Sequence, residues 1–184
     1  MKILKSIFIS LLFIPFFVFA QNQTVLPSAG LTPESPFYFI DTLGETLREF
    51  FTFNPESKAR LQITFAAERV AEIKIILETK GVEAKGLEIA QSRLRAHLGN
   101  VAEIVITQKN KGKDVSKLAK ELDDGFEKPK LALAQSFKAE KRALEAKENE
   151  LKTKLKAAHR AGDTTQAEAI AQELGQVKAK KELL

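Results

Sequence analysis

The sequence contains no cysteine and no tryptophan, and only one methionine, one tyrosine and two histidines among its 184 residues. Without cysteine, the chain cannot form a disulfide, a thiolate metal site, a cysteine nucleophile or the lipid-carrying cysteine of a bacterial lipoprotein. Proline is also scarce, because after Pro55 it occurs only at Pro129. Since proline interrupts helices, its scarcity allows long ones.

Long hydrophobic runs are confined to the N-terminus. Two lysines precede a stretch from Ile7 to Ala20 that is almost wholly apolar and ends in small residues. This order is typical of a secretory signal peptide, and the stretch is shorter than the roughly 20 residues that a membrane helix needs. We therefore expect residues 1–20 to direct export and to be cleaved after Ala20. An uncleaved membrane anchor is the alternative.

Neither sign of charge is in large excess. The chain has 29 Lys and Arg against 24 Asp and Glu, a net charge of +5, and loss of the two lysines of the leader lowers it to +3. Basic residues cluster between 138 and 160, but glutamates alternate with them, and aromatic side chains for base stacking are missing there. Glutamate–lysine pairs four residues apart stabilise exposed helices. We expect a solvated surface there and no binding of nucleic acid.

Apolar residues recur every three or four positions from residue 37 onwards, which is the period of an amphipathic helix. Asn54-Pro55 is a typical helix start, with Asn54 as cap and Phe53 as a hydrophobic staple, and Lys80-Gly81 is a typical stop. No strand-like alternation of useful length follows. The sequence predicts an all-α protein: an elongated up-and-down bundle of four to five helices with a projecting, coiled-coil-like C-terminal arm.

The chain divides into segments of different composition. The polar residues 21–34 contain proline and glycine and predict a flexible linker, and residues 35–112 predict a helical core. Residues 113–184 predict a long helix followed by a C-terminal helix. Because Pro129 lacks an N–H and clashes with the preceding turn, we expect a kink or break over 125–129. The later apolar stripe of this region is narrow and rich in alanine, which predicts the arm.

Aromatic residues are concentrated where the core begins. Seven of the nine that follow the leader lie within 37–65. Two interpretations are open: they pack the first helix against the second and its neighbours, or they form an exposed patch for a partner or a membrane surface. In both cases we predict a packing or interaction corner made of Phe37, Tyr38, Phe39, Phe50, Phe51 and Phe53.

The same region carries three recognisable stretches. They are ESPFYFID at 34–41, EFFTFNPESKA at 49–59 and AERVAE at 67–72. On these stretches the chain resembles the DUF5667 family, over about 27–80 and more loosely to about 160. The resemblance implies a helical, secreted or membrane-attached bacterial domain, and it carries over no catalytic residue.

Signatures of catalysis or metal binding are missing from the sequence. It contains no GxSxG, SxxK, P-loop or GxGxxG pattern. The candidate titratable residues are His97, His159, Asp123, Asp124, Glu127, Glu68 and Glu72. The histidines are far apart, the acidic group lacks the spacing of an EF-hand, and basic residues flank the last two glutamates, which we expect on a charged exterior. We predict no enzymatic activity, no cofactor and no metal.

These observations favour an extracytoplasmic helical scaffold or protein-interaction protein without enzymatic activity, located in the periplasm, at the cell surface or in the medium. Its partner would be a protein, an envelope component or a second copy, and membrane contact would need an uncleaved leader. The alternative is a periplasmic chaperone or envelope-stress factor that binds unfolded or membrane-associated partners. A hydrolase with an unrecognised site is a third hypothesis.

Overall fold

The computed structural model describes residues 26–184, and within this range it contains five helices and no strand. The helices are α1 (Tyr38–Phe50), α2 (Pro55–Lys80), α3 (Lys85–Asn110), α4 (Ser116–Ala161) and α5 (Thr164–Glu182). The all-α prediction is confirmed. None of these described helices combines the length and the apolar character needed to cross a membrane. The predicted leader, residues 1–20, lies outside the described residues.

Side-chain caps and glycines set the helix boundaries. Asn54 Oδ1 accepts a hydrogen bond from the N–H of Ser57 at 3.0 Å, and Pro55 occupies the first helical position, where its missing donor is not needed. Gly81 ends α2 with φ +77°, a backbone conformation that favours glycine. The predicted start and stop of α2 are thus confirmed. Phe53 does not act as a staple, because 83 % of its surface is exposed.

The cap at Asn54 gives a first prediction. Asn54→Ala removes the acceptor for the N–H of Ser57 and should lower the free energy of unfolding by about 1 kcal/mol. Asn54→Ser keeps a capping oxygen and should stay within a few tenths of a kcal/mol of the wild type. Urea unfolding followed by far-UV circular dichroism measures both, and equal losses in the two variants would show that the cap contributes nothing.

Helix α2 lies at the centre of a three-helix bundle. Its Val70, Ile73 and Ile76 are buried in one cluster with apolar residues of α3 and α4. The start of α4 packs on the start of α2, since Leu118 meets Ala59 there, and Glu140 of α4 reaches Gly81 just after the end of α2. Helix α4 therefore runs parallel to α2, and α3 runs antiparallel to both.

Helix α4 continues without a break through Pro129. It has 46 residues, which corresponds to about 70 Å at 1.5 Å per residue. Of the kink or break predicted near 125–129, the break is therefore wrong, and the kink stays a prediction. Leu122 and Ala132 are both buried in the bundle on either side of the proline, and this packing outweighs the roughly 3 kcal/mol that a proline inside a helix costs.

Nearly half of α4 extends beyond the turn between α2 and α3, and α5 folds back along it. We call this helical pair the arm (residues 141–182). Its seam contains the buried side chains Leu144, Leu151, Ala158, Ala167, Leu174 and Val177. Lys180 Nζ lies 2.9 Å from Glu83 Oε2, so the end of α5 returns to the α2–α3 turn. The predicted arm is present.

Glu148 occupies a seam position between the buried Leu144 and Leu151. Its carboxylate lies 2.6 Å from Nζ of both Lys152 and Lys181. Hydrogen bonds from Lys152 and then Lys181 lower the pKa of Glu148 to about 2. A charged pair at such a position specifies helix register, because sliding α5 would leave Glu148 without Lys181.

Residues 26–36 form no helix and lie against the bundle. Ala29 is buried, and Leu26 packs against the main core cluster. Glu34 Oε2 lies 2.6 Å from Lys80 Nζ. This part of the predicted linker therefore follows the surface of the bundle and leads the chain into α1.

Candidate functional site

Helix α1 turns its polar face towards α2. Tyr38 and Glu45 are buried on this face, opposite Arg69 and Glu72 of α2, which are fully buried. Arg69 Nη2 lies 2.7 Å from Glu72 Oε1 and 2.8 Å from Glu45 Oε1, and Arg69 Nη1 donates a hydrogen bond to the Tyr38 hydroxyl at 3.0 Å. A buried polar network thus attaches α1 to the bundle. We call these four residues the arginine network.

Carboxylates outnumber cations around Arg69. Asp41 Oδ2 and Glu68 Oε2 lie 3.6 and 3.9 Å from Nη2, in addition to the two glutamates of the network. Arg93 Nη1 lies 3.6 Å from Glu45 Oε2, and its guanidinium is 5.0 Å from the centre of the Tyr38 ring. One of these carboxyl groups can therefore be neutral while Arg69 still has a charged partner.

Burial decides which carboxyl group takes up a proton. It raises the pKa of Glu72 to about 8, even though the adjacent Arg69 favours the charged form. Burial also raises the pKa values of Glu45 and Glu68. At neutral pH Glu72 is therefore largely protonated, which brings the charge of the arginine network closer to balance.

His97 lies beside this network and is neutral. Its Nδ1 is 2.7 Å from Gln62 Oε1, and Asn100 Nδ2 donates to the same oxygen at 3.2 Å. Because an amide oxygen only accepts, His97 carries its proton on Nδ1. Burial lowers the pKa of His97 to about 4, and its ring lies 5.4 Å from that of Phe65. These contacts are typical of a histidine that packs inside a bundle.

The charged exterior predicted for Glu68 and Glu72 is wrong for Glu72, which is fully buried. The sequence prediction also missed Arg69, Glu45 and Gln62, which are buried as well. A signal for them exists on α2, where a second stripe repeats at intervals of three and four. This stripe consists of Gln62, Phe65, Arg69, Glu72 and Ile76. The stripe mixes polar with apolar residues, so hydrophobic periodicity alone overlooks it.

The other candidate titratable residues stay apart. Asp123, Asp124 and Glu127 are exposed on α4, and His159 is exposed near the tip of the arm. Within residues 26–184, no three His, Asp or Glu side chains are grouped as a metal ion would require.

The apolar face of α1 points to solvent. Five of the six residues of the predicted corner are exposed, and only Tyr38 is buried. The interpretation that these aromatics pack α1 against α2 is therefore wrong for those five, and the structure shows the exposed patch. We call it the α1 patch; its members are each 50 to 83 % exposed and are Phe37, Phe39, Ile40, Leu43, Leu47, Phe50, Phe51 and Phe53.

The surface of the bundle also has two grooves. One borders the α1 patch, between Phe50 and Phe53 on one side and Ile104 of α3 on the other, with a volume of about 390 Å³. The second is mostly apolar, has a similar volume of about 390 Å³ and lies between α3 and α4. Its apolar lining is Ile63, Leu98, Val101, Ala102, Val105, Ile106, Ala119, Leu122 and Phe126.

Comparison with known families adds the decisive observation. The family model DUF5667, described as a domain of unknown function, matches residues 30–182. The chain belongs to the DUF5667 family. No curated protein and no solved structure matches it. The DUF5667 match extends past the three motif stretches and includes α1 with both of its faces, the arginine network and the arm.

Proposed function

We propose that this DUF5667 protein is an exported helical interaction protein without enzymatic activity, which binds its partner through the α1 patch. One observation carries the proposal: α1 buries Tyr38 and Glu45 against α2, while eight large apolar side chains on α1 and its flanking residues are exposed. A contiguous apolar surface of this kind marks a binding site on most soluble proteins. The apolar stretch at residues 7–20 supports export.

The position of the perturbed carboxyl groups supports a role without catalysis. Glu45 and Glu72 have raised pKa values, as catalytic acids often do. Both lie inside the bundle against Arg69, however, and neither lines one of the two grooves described above. Their geometry supports attachment of α1 better than it supports access of a substrate.

A periplasmic chaperone is the second candidate, and the apolar groove between α3 and α4 favours it. Side chains such as Val101 and Leu98 line this groove, which would accept short apolar segments of an unfolded client. A chaperone of this kind would bind many unrelated unfolded chains, whereas an interaction protein would bind a small, defined set.

Capture from the native cell envelope tests the proposal. We expect the wild type to retain a small, reproducible set of components, which Leu47→Glu in the α1 patch abolishes. Leu131→Glu on α4 is the matched control, because Leu47 and Leu131 are both 50 % exposed.

N-terminal sequencing of the exported protein tests cleavage of the leader. The sequence should begin at Gln21.

For a periplasmic chaperone we expect a different result from the same protein and its variants. The protein would slow the aggregation of an unfolded client, Val101→Glu in the groove would abolish this effect, and Leu47→Glu would not. Capture that survives Leu47→Glu contradicts the α1 patch as the binding surface.

A further inference from the structure

We infer that the partner of the α1 patch is a second copy of this chain, and that the two α1 helices pair antiparallel about a two-fold axis. The inference rests on the proposed function, since it names the partner of the same surface. Four features of α1 support it: the exposed area, the spacing of the apolar residues, the absence of charge beside them and their symmetry.

The exposed area is that of a dimer interface. A phenylalanine side chain contributes about 150–250 Å², so the five exposed phenylalanines alone leave roughly 700 Å² accessible. Ile40, Leu43 and Leu47 add to this area. A stable protein interface buries about 800 Å² on each partner, whereas the largest apolar patch on a typical monomer is about 300–600 Å².

The spacing of the patch is that of a coiled-coil seam. Ile40, Leu43, Leu47 and Phe50 follow one another at intervals of three, four and three residues, as do the core positions of a heptad repeat. A lone amphipathic helix on a bundle would turn such a stripe towards the bundle. In α1 the buried arginine network occupies the inner face, so the seam faces outward, where a second helix can lie.

The residues that flank the seam carry no charge. They are Phe39, Gly44, Thr46 and Phe51. A side chain at Gly44 would meet no atom within 4 Å, so Gly44 leaves open space for a neighbouring helix at a cost of about 1 kcal/mol in helix propensity. Helices that lie in a membrane surface are rich in Lys and Arg on the polar face. Arg48 is the only basic residue of α1, and it lies over the Phe65 ring at 5.4 Å, so the composition favours protein over lipid.

An antiparallel arrangement makes the seam self-complementary. It places Leu43 of one copy against Leu47 of the other, and Ile40 of one copy against Phe50 of the other. Each contact layer of the seam therefore joins two large apolar side chains that fill the space between the helices. It also aligns the two helix dipoles in opposite directions, which is favourable. A two-fold axis through the middle of α1 generates each of these contacts twice, once on each side of the axis.

Sedimentation of the purified protein tests the pairing. We expect a dimer at micromolar concentration, a monomer for Leu47→Glu and a dimer for the matched control Leu131→Glu, with the same helical circular dichroism for all three. Since the leader is identical in the three proteins, it does not account for a difference between them. A monomeric wild type, or a Leu47→Glu variant that stays dimeric, overturns the inference.

Engineered cysteines test the orientation, because the natural chain has none. In an antiparallel pair, Ile40→Cys mixed with Phe50→Cys forms a mixed disulfide. Ile40→Cys alone forms none, since the two copies of position 40 are about 15 Å apart along the helix and disulfides need Cα atoms within about 7 Å. Cross-linking of Ile40→Cys with itself shows a parallel pair and overturns the antiparallel arrangement.

A lipid surface is the competing occupant. Flotation with vesicles of phosphatidylglycerol and phosphatidylethanolamine distinguishes it: a monomer that floats, and loses flotation in Leu47→Glu, means that lipid covers the α1 patch and overturns the inference. The proposed function fails separately. A Leu47→Glu variant that stays dimeric and keeps every captured component contradicts the α1 patch as a binding surface, and with it the proposed function. A monomeric wild type that captures envelope components through Leu47 overturns only the pairing.

Discussion

Replacing Arg69 by methionine should lower the free energy of unfolding by about 3–5 kcal/mol, the usual effect of removing one partner from a buried ion pair. Arg69 is fully buried and is the cation nearest to Glu45 and Glu72. Without it, the buried Glu45 loses its nearest charge partner, and both the Tyr38 hydroxyl and the protonated Glu72 lose a hydrogen-bond donor. For a domain with a total stability of about 5–15 kcal/mol, this is a large fraction.

Arg60→Met is the matched control for this prediction. Arg60 forms a two-pronged pair with Glu121, at 2.7 and 2.9 Å, but it is exposed. Exposed pairs contribute about 0–1 kcal/mol, so Arg60→Met should change the midpoint of urea unfolding little. If the two variants unfold at the same urea concentration, the arginine network does not stabilise the fold. If Arg69→Met loosens only the attachment of α1, amide hydrogen exchange should become faster in α1 and change little in α2.

The protein should become less stable as the pH rises from 6.5 to 8.5, by about 2 kcal/mol. Glu72 has a pKa of about 8 in the folded protein against 4.5 as its ordinary value, mainly because it is buried. Between these two values the folded state holds a proton that the unfolded state has released. Stability from this group is therefore fully present below pH 4.5 and is lost as the pH rises through 8.

His97 has the opposite effect at lower pH. Burial depresses its pKa from 6.5 to about 4, so the unfolded state takes up a proton first and stability is lost as the pH falls from 6.5 towards 4. The two slopes oppose each other between pH 4.5 and 6.5, where the curve should be nearly flat. Above pH 6.5 the effect of Glu72 remains.

Urea unfolding across pH 5 to 8.5 measures this curve. Glu72→Gln keeps the shape of the side chain but has no titrating group, so it should flatten the fall above pH 6.5. Gln is also a fair mimic of the protonated acid, so this variant should be about 2 kcal/mol more stable than the wild type at pH 6, where unfolding of the wild type already releases the proton of Glu72. A slope that persists in Glu72→Gln would mean that another group binds the proton.

The helix boundaries could be predicted from sequence because they depend on local chemistry. Asn54 caps α2 through its own side chain, Asp163 caps α5 in the same way with its Oδ1 2.9 Å from the N–H of Gln166, and Gly81 adopts a positive φ. These signals involve residues no more than a few positions apart. The break at Pro129 was predicted on the same local basis, and it fails because packing from α2 outweighs the local cost.

The orientation of α1 could not be predicted from its own sequence. Hydrophobic periodicity shows that α1 has an apolar and a polar face, and the usual rule turns the apolar face inward. Here the deciding residue is Arg69, which lies about 30 positions away on α2 and needs the carboxylates of α1 around it. Of the two interpretations that the sequence left open for the six aromatics of the corner, exposure holds for five and packing for Tyr38 alone.

The uninterrupted course of α4 has a geometric consequence for a paired molecule. Helix α1 and the early part of α4 pack against the same part of α2. The α1 patch is therefore level with the early part of α4, and the tip of the arm lies at the other end of α4, about 55 Å away at 1.5 Å per residue. Two chains joined antiparallel through α1 would point their tips in opposite directions, about 110 Å apart. The protein would then be a molecular spacer with two identical ends, whose span depends on a single helix that Pro129 does not interrupt.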